Sequence, residues 1–293
     1  MGVNVSEYWQ VLKQTVKEFG EDQAPRLAAA LAYYTIFSIA PLLVIVLAIV
    51  GFVYGSEEAR SQLMSQLQAR IGPDAANLIG TMVERTSQQG GGILATVIGI
   101  VTLLIGATTV FAQLQGALNK IWDVAADRSR GIRKLLLVRL EGLGMVLALG
   151  FVLLVSFALQ AALNVILSSF SGLLPGGNVV WFIVNQLLML AVFTVVFGAI
   201  FMVLPDVELH WRNVLRGAII TAVLFKIGEF LIGFYLGFSG VKSTYGAAGS
   251  LVVLLLWIYY SSQILLFGAE FTQVDTRRRQ KEEPTPTEVA AGS

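Results

Sequence analysis

The chain has 293 residues, of which 56% are hydrophobic and only 13% are charged, and its formal net charge is +1. Soluble domains carry about 25% charged residues, so this composition excludes a water-soluble globular protein. The chain contains no cysteine, which excludes disulfides, thiolate nucleophiles and cysteine-based metal sites.

The first segment, residues 1–27, is polar and mixed in charge, and residues 5–19 repeat apolar side chains at helical spacing. This pattern predicts a cytoplasmic amphipathic helix on the membrane surface. A surface helix that packs on its own protein would show the same pattern, so both interpretations stay open. No cleavable signal peptide is expected, because the next apolar run is long enough to span a bilayer.

Six apolar runs follow, and each exceeds the ~20 residues that a helix needs to cross the hydrocarbon layer. They cover residues 28–54, 91–113, 139–165, 179–204, 213–237 and 247–271. Runs of this length without alternation indicate helices, since lipid satisfies no backbone hydrogen bonds. The sequence therefore predicts an all-α polytopic membrane protein, with a bundle of about six transmembrane helices over residues 28–271 and amphipathic flanking helices. Pro41 should kink the first of them.

Two polar segments interrupt or follow the runs. Residues 55–90 contain two apolar clusters divided by Gly72-Pro73, which predicts two short helices resting on the bundle or on the outer leaflet. Residues 272–293 are charged and rich in proline and threonine. They are predicted to form a disordered cytoplasmic tail.

The positions of lysine and arginine predict the orientation. With both termini in the cytoplasm, 15 of the 20 basic residues lie on the cytoplasmic side: Lys13, Lys17, Arg26, Lys120, Arg128, Arg130, Arg133, Lys134, Arg139, Arg212, Arg216, Arg277, Arg278, Arg279 and Lys281. Four lie on the opposite side: Arg60, Arg70, Arg85 and Lys242. This asymmetry predicts a multi-pass membrane protein with cytoplasmic N- and C-termini.

Small and weakly polar residues mark the helix faces that pack together in lipid. Such stripes occur in the second, third and fifth runs, which are predicted to line the interior, whereas the almost uniformly apolar fourth run should face lipid. The packing glycines are Gly99, Gly106, Gly233 and Gly237. The polar residues of these stripes serve either close helix packing or a hydrated cavity, and both interpretations stay open. They are Thr109, Gln113, Gln160 and Asn164.

Lys226 and Glu229 stand near the middle of the fifth run. A charge at the bilayer centre costs roughly 2.5–3.5 kcal/mol on insertion scales, so such residues are functional candidates. Three residues apart, they share one helix face and can neutralise each other, which makes a purely structural pair equally compatible with the sequence. Glu141 and Glu270 are further candidates nearer the cytoplasmic ends of their runs.

The chemistry of an enzyme is missing. His210 is the only histidine, and without clusters of histidine or cysteine no metal site, catalytic site or cofactor is expected. No Gly-x-x-x-x-Gly-Lys-[Ser/Thr] motif occurs, so the chain should not hydrolyse ATP by itself. The arginines of residues 128–139 and 277–279 follow from topology and from anionic lipid, and no nucleic-acid partner is expected.

The chain resembles the YihY/BrkB family of bacterial inner-membrane proteins, once labelled ribonuclease BN, over residues 8–271. The most specific part is AAALAYYTIFSIAP at residues 28–41. Supporting parts are Asn119, Trp122, Leu204-Pro205, Trp211, Gly217-Ala218, residues 245–250, Trp257, Tyr259 and Gly268-Ala269-Glu270. The resemblance implies six membrane helices. Its members have been linked to serum resistance, envelope lipid handling and transport.

Two functions follow as expectations. The first is a transporter-like protein that moves lipid or another envelope substrate, with Lys226 and Glu229 as its polar focus. The second is a scaffold that moves nothing and recruits envelope-assembly proteins. Membrane lipids are the expected partners. Assembly into a homo-oligomer is compatible with either of these two functions. Ribonuclease activity is disfavoured because the cytoplasmic carboxylates are scattered among arginine-rich loops and not clustered for metal-assisted cleavage: Asp123, Asp127, Asp206, Glu208 and Asp275.

Overall fold

The computed structural model describes residues 5–87, 92–124, 177–207, 209–238 and 249–282, with scattered residues between 140 and 155. The regular elements of this described part are helices, which confirms the predicted all-α fold. They are α1 (Val5–Glu21), α2 (Ala24–Tyr54), α3 (Ser56–Ile71), α4 (Pro73–Ser87), α5 (Gly92–Ile121), α6 (Gly177–Val203), α7 (Trp211–Phe238) and α8 (Gly249–Glu282). Within it, Ala24–Phe52, Ile183–Val203 and Gly249–Gln280 are long and apolar enough to cross a membrane.

The centre of the bundle is formed by α2 and α8. Helix α8 packs on α2, α7 and α1, and α2 packs on α5. The predicted interior named the second, third and fifth runs and omitted these two helices; the alanine-rich face of α2 allows its neighbours to approach closely. The buried core includes Ala24, Ala28, Leu118, Phe201, Ala218 and Leu266. The third run, residues 139–165, lies mostly outside the described residues.

Helix α6 is the fourth apolar run, and it does not simply face lipid as predicted. Phe193 and Phe197 pack their rings against Phe225 of α7, with centroids 4.9 and 5.6 Å apart. On another side of α6, Leu187 and Val195 are exposed. The run is apolar all round because one face packs in the bundle and another is left for lipid.

Pro41 lies within the uninterrupted helix α2. A Cβ added to Gly106 of α5 would lie 2.9 Å from Cγ of Pro41. The missing side chain of Gly106 therefore lets α5 approach α2 where the proline ring projects. Gly99, Gly233 and Gly237 lie in α5 and α7, in parts of these helices whose side chains fall outside the described residues.

Helices α3 and α4 form a hairpin that folds back into the bundle. Ala59 near the start of α3 clusters with Val50 of α2, and Ile71 at its end clusters with Ile36. Ala59 and Ile71 are twelve residues apart, which corresponds to about 18 Å along α3. Helix α4 returns beside α3, where Arg60 and Glu84 form an ion pair of 3.6 Å.

The tip of this hairpin is Ile71, Gly72 and Pro73, and Gly72 has a φ of 80° that favours glycine. The tip packs against α2 and also against Leu254 and Ile258 of α8. The two helices predicted on either side of the Gly72-Pro73 break therefore rest on the bundle, and their common tip reaches α8 as well as α2.

The C-terminal prediction also needs correction, because α8 continues without a break to Glu282. Residues 272–282 are helical, and Thr272, Gln273 and Asp275 are buried. Helix α1 covers this part of α8, with Val11 packed in one cluster with Phe271 and Val274. Residues 283–293 of the predicted tail lie outside the described residues.

Helix α1 packs on its own protein, as one of the two interpretations of its sequence predicts. One face is buried against α8, where Val11 and Thr15 are inaccessible. Another face leaves the apolar side chains of Trp9 and Val16 exposed at 66% and 59%. We refer to the end of the bundle formed by α1, the last turn of α5, residues 204–210 and the last turns of α8 as the α1 end, and to the opposite end as the far end.

Two glycine–threonine contacts join α7 to α8, and each helix supplies one glycine and one threonine. A Cβ added to Gly217 would collide with the Thr272 side chain, and one added to Gly268 would collide with Thr221. Each threonine hydroxyl donates a 2.7 Å hydrogen bond to the carbonyl of the glycine one turn earlier in its own helix. The hydroxyls are thereby satisfied while the two backbones approach closely.

The variant Gly268→Ala is expected to lower the free energy of unfolding by about 1–3 kcal/mol, because the added methyl group overpacks the crossing. Thermal unfolding of the purified protein in detergent would measure this. Gly116→Ala is the control, since its added Cβ meets nothing within 4 Å, and it should be neutral or stabilising through helix propensity. Equal melting temperatures for the two variants would contradict the proposed role of the crossing.

Candidate functional site

Lys226 and Glu229 form an ion pair on α7, as their spacing of three residues predicted. Lys226 Nζ donates to Glu229 Oε2 over 2.6 Å. The two side chains are 25% and 16% exposed. They are therefore partly withdrawn from the surface, and each charge is compensated inside the bundle.

This ion pair lies at the depth of the hairpin tip. Gly228 of α7 packs on the ring of Tyr260 in α8, and Ile258, two residues before it, packs on the hairpin tip. Helix α3 also contacts α7 directly. The hairpin tip and the ion pair thus lie at a similar depth, near the middle of the bundle.

A cavity of about 280 Å³ occupies the same depth, and we call it the mid-depth cavity. Its walls come from α2, α5, α6, α7 and α8, and the hairpin tip bounds it on one side. Representative lining residues are Leu31, Ile71, Val110, Phe197, Trp257 and Leu265. The structure therefore combines an apolar cavity and an ion pair at one level.

The described members of the other predicted polar residues, Thr109, Gln113 and Glu270, are not assembled around this ion pair. Thr109 donates its hydroxyl to the carbonyl of Ile105 in its own helix, and Gln113 is exposed. Glu270 lies eight residues beyond Ser262, a cavity-lining residue of α8, towards the α1 end. Glu141, Gln160 and Asn164 lie outside the described residues.

A set of side-chain hydrogen bonds between α5 and Asp206 was not predicted from the sequence. Asn119 Nδ2 donates to Asp206 Oδ2, and the Asp206 backbone N–H donates to Asn119 Oδ1, both over 2.8 Å. Gln115 is buried and donates to Asp206 Oδ1 over 3.3 Å. Gln115, two residues after the predicted Gln113, is therefore the inward-facing amide, and a helical wheel centred on Leu114 and Leu118 would have found it.

Charged residues from four segments meet at the α1 end. Arg277 of α8 donates to Glu18 of α1 over 3.2 Å and to Asp123 after α5 over 3.0 Å. Asp275 is buried and pairs with Arg279 at 2.9 Å and with Arg216 of α7 at 3.6 Å. The arginines counted as topology signals are therefore also structural.

Glu270 lies among the charges of this network, near Glu18, Asp22, Asp123 and Arg277. Its side chain is fully buried, and neither carboxylate oxygen has a hydrogen-bond partner in the described part of the chain. No group of three histidine or acidic side chains able to hold a metal ion occurs within the described ranges.

A second cavity, of about 420 Å³, opens beside this network at the α1 end. His210, the lone histidine, lines it together with Trp122 and Gln273. Two polar atoms of its lining residues, Trp122 Nε1 and Gln273 Oε1, have no hydrogen-bond partner among the described residues.

Asp22, in the turn between α1 and α2, is only partly exposed. Burial raises the pKa of its carboxyl group above the ordinary value. Nearby Lys120 opposes this change in pKa, and Asp123 and Glu18 reinforce it. A group with a raised folded-state pKa contributes stability that is present at acid pH and lost as pH rises through that pKa.

Comparison with known proteins identifies related membrane proteins. The family model described as Virulence factor BrkB matches residues 15–292. A UPF0761 membrane protein of Pseudomonas aeruginosa is 30% identical over 255 residues, which cover 86% of this chain and 59% of the relative. The ribonuclease-like protein YfkH of Bacillus subtilis is 24% identical over 280 residues, which cover 94% of this chain and 98% of the relative.

The chain thus spans about three fifths of the length of the Pseudomonas relatives that it matches. No solved structure matches the chain. These findings confirm the family resemblance carried by residues 28–41, Asn119 and the Gly268-Ala269-Glu270 segment.

The variant Asp22→Asn is expected to stabilise the protein more at pH 7 than at pH 4, because it removes a carboxylate whose ionised form is disfavoured by burial. Thermal unfolding at both pH values would measure the difference from the wild type. Glu21→Gln, one residue earlier and exposed, controls for the lost negative charge. An Asp22→Asn effect that is the same at both pH values would contradict the burial of this group.

Proposed function

The chain belongs to the Virulence factor BrkB family of membrane proteins, and we propose that it is transporter-like. It moves a lipid, or another amphipathic envelope substrate, across the bacterial inner membrane without an ATPase of its own. The α1 end lies in the cytoplasm, since most of the lysines and arginines belong to that side. The far end then faces outward.

The observation that carries this proposal is the depth of the α3–α4 hairpin. Its tip is level with Ile36, about 18 Å from the start of the 31-residue helix α2. Polar side chains on the hairpin are nevertheless exposed: Gln62, Ser65 and Gln68 on α3, and Asn77 and Thr81 on α4. Polar groups at this depth are tolerated where they line a water-filled cavity and not where they face acyl chains.

We therefore place a water-filled vestibule on the outer side of the bundle, reaching from the far end to the hairpin tip. Its inner end adjoins the Lys226–Glu229 ion pair and the apolar mid-depth cavity. A polar region and an apolar region then meet at one depth, which suits a substrate that has both a polar headgroup and an acyl chain. This arrangement supports translocation of an amphipathic molecule.

The competing function is a scaffold for envelope-assembly proteins. The close contact of Lys226 with Glu229, at 2.6 Å, favours it, because a pair that satisfies itself needs no substrate. The two functions differ in whether water reaches the hairpin and whether Glu229 is needed for movement of a substrate.

The vestibule can be tested by cysteine accessibility, because the natural chain has no cysteine. Single variants Gln68→Cys and Asn77→Cys are expected to react with a membrane-impermeant, charged methanethiosulfonate reagent added outside intact cells. Phe37→Cys is the control, since Phe37 is an exposed apolar residue of α2 at a similar depth and should stay unmodified. Failure of both hairpin variants to react, with normal expression, would exclude the vestibule.

Transport itself can be tested in proteoliposomes with a fluorescent phospholipid whose outer-leaflet fraction is quenched chemically. Glu229→Gln is expected to slow lipid movement about tenfold, a change in barrier of about 1.4 kcal/mol. Glu288→Gln, the same substitution near the C-terminus, should leave the rate unchanged. Wild-type protein that moves no lipid above the rate of empty liposomes would favour the scaffold, and melting temperatures would show that each variant is folded.

A further inference from the structure

We infer that the mid-depth cavity binds one acyl chain of a membrane phospholipid. The inference rests on the proposed function, because it supplies the apolar half of the substrate site. Its position, lining, size and single unpartnered hydroxyl group support it.

The cavity has the lining that an acyl chain requires. Among its described lining residues, only Thr35, Ser261 and Ser262 carry a hydroxyl group, and the others present aliphatic or aromatic surface. Helices α2, α5, α6, α7 and α8 all contribute, so a ligand here would contact the centre of the bundle and not its periphery. Apolar sites with a few polar groups are typical of small-molecule binding.

Water is a poor occupant of such a space. A buried water makes two to four hydrogen bonds to polar groups, whereas Ser261 Oγ is buried without a partner in the described part of the chain. That oxygen is the one unsatisfied side-chain atom of the cavity lining within those residues. Three hydroxyl groups in an otherwise apolar lining are too few to hold water throughout a cavity of this size.

The size of the cavity suits a flexible chain. An engineered apolar cavity of about 150 Å³ binds benzene, and this cavity of about 280 Å³ is nearly twice as large. It is partly open, so a chain can enter while the headgroup stays outside. Lipid is the apolar ligand that surrounds a membrane protein at this depth.

The ion pair lies next to this site along α7. Phe225 lines the cavity and Lys226 follows it in α7. A phospholipid whose chain lies in the cavity can therefore present its phosphate to the Lys226 ammonium group, a charge-assisted contact. The chain and the headgroup would then occupy adjacent apolar and charged surfaces.

Photocrosslinking tests the inference directly. The full chain in nanodiscs would be irradiated with a phospholipid that carries a diazirine in the middle of one acyl chain, and labelled residues would be located by mass spectrometry. Labels are expected on cavity residues such as Leu114, Leu265 and Trp257, in addition to exposed residues such as Leu256 that contact any lipid. Excess unlabelled phospholipid should reduce the cavity labels severalfold.

Variants that fill the cavity provide a matched comparison with the wild-type protein. Ser261→Leu adds apolar volume and removes the unpartnered hydroxyl, so it should raise the melting temperature and cut labelling of Leu114 at least fivefold. Ser262→Leu is a second filling variant, should the first fail to fold. Ala191→Leu adds a similar side chain at an exposed position of α6 and should leave cavity labelling unchanged.

The outcomes separate this inference from the proposed function. Cavity residues that remain unlabelled in the wild type would overturn the acyl-chain site, and the proposed function would stand if Gln68→Cys and Asn77→Cys still react and lipid still moves. Cavity labelling that Ser261→Leu and Ser262→Leu leave unchanged would also overturn it. Labelling that both variants abolish would support the site, even if the liposome assay shows no transport.

Discussion

The close approach of α8 to α2 and α7 determines where every other element can lie. Alanines on α2 and the Gly217–Thr272 and Gly268–Thr221 contacts remove the side-chain bulk that would hold these helices apart. In lipid, helices gain little from apolar burial alone, so packing between small residues is a principal source of association. The hairpin tip, the ion pair and the mid-depth cavity all adjoin this central group of helices.

The α1 end is built by a different interaction, the pairing of charges. Arg277 joins α8 to Glu18 of α1 and to Asp123 after α5, and Asp275 holds Arg216 and Arg279. Exposed ion pairs individually contribute little to stability. Here Asp275 is buried, and Asp275 and Arg277 each bind two partners. Arg277 therefore fixes α1 and the segment after α5 onto the end of α8.

The sequence predicted the helical class and the pairing of Lys226 with Glu229, because both depend on local spacing. It did not predict the depth of the hairpin, since short amphipathic helices bury the same apolar faces on a surface or inside a bundle. It placed the tail too early, because the proline- and threonine-rich residues after Glu282 dominate the composition of the whole segment. Gln115 and Arg277 were missed as site residues because their partners lie 91 and 154 positions away in the chain.

The length and continuity of helix α8 have a mechanical consequence. It is continuous over 34 residues, and it touches the hairpin tip with one part and α1 with another. A helix of this length spans about 51 Å, so a tilt of only about 5° would displace one end by about 4 Å relative to the other. It can therefore act as a lever, in which a small rearrangement beside Ile258 is transmitted to the arginines near its C-terminus without any bend or break in between.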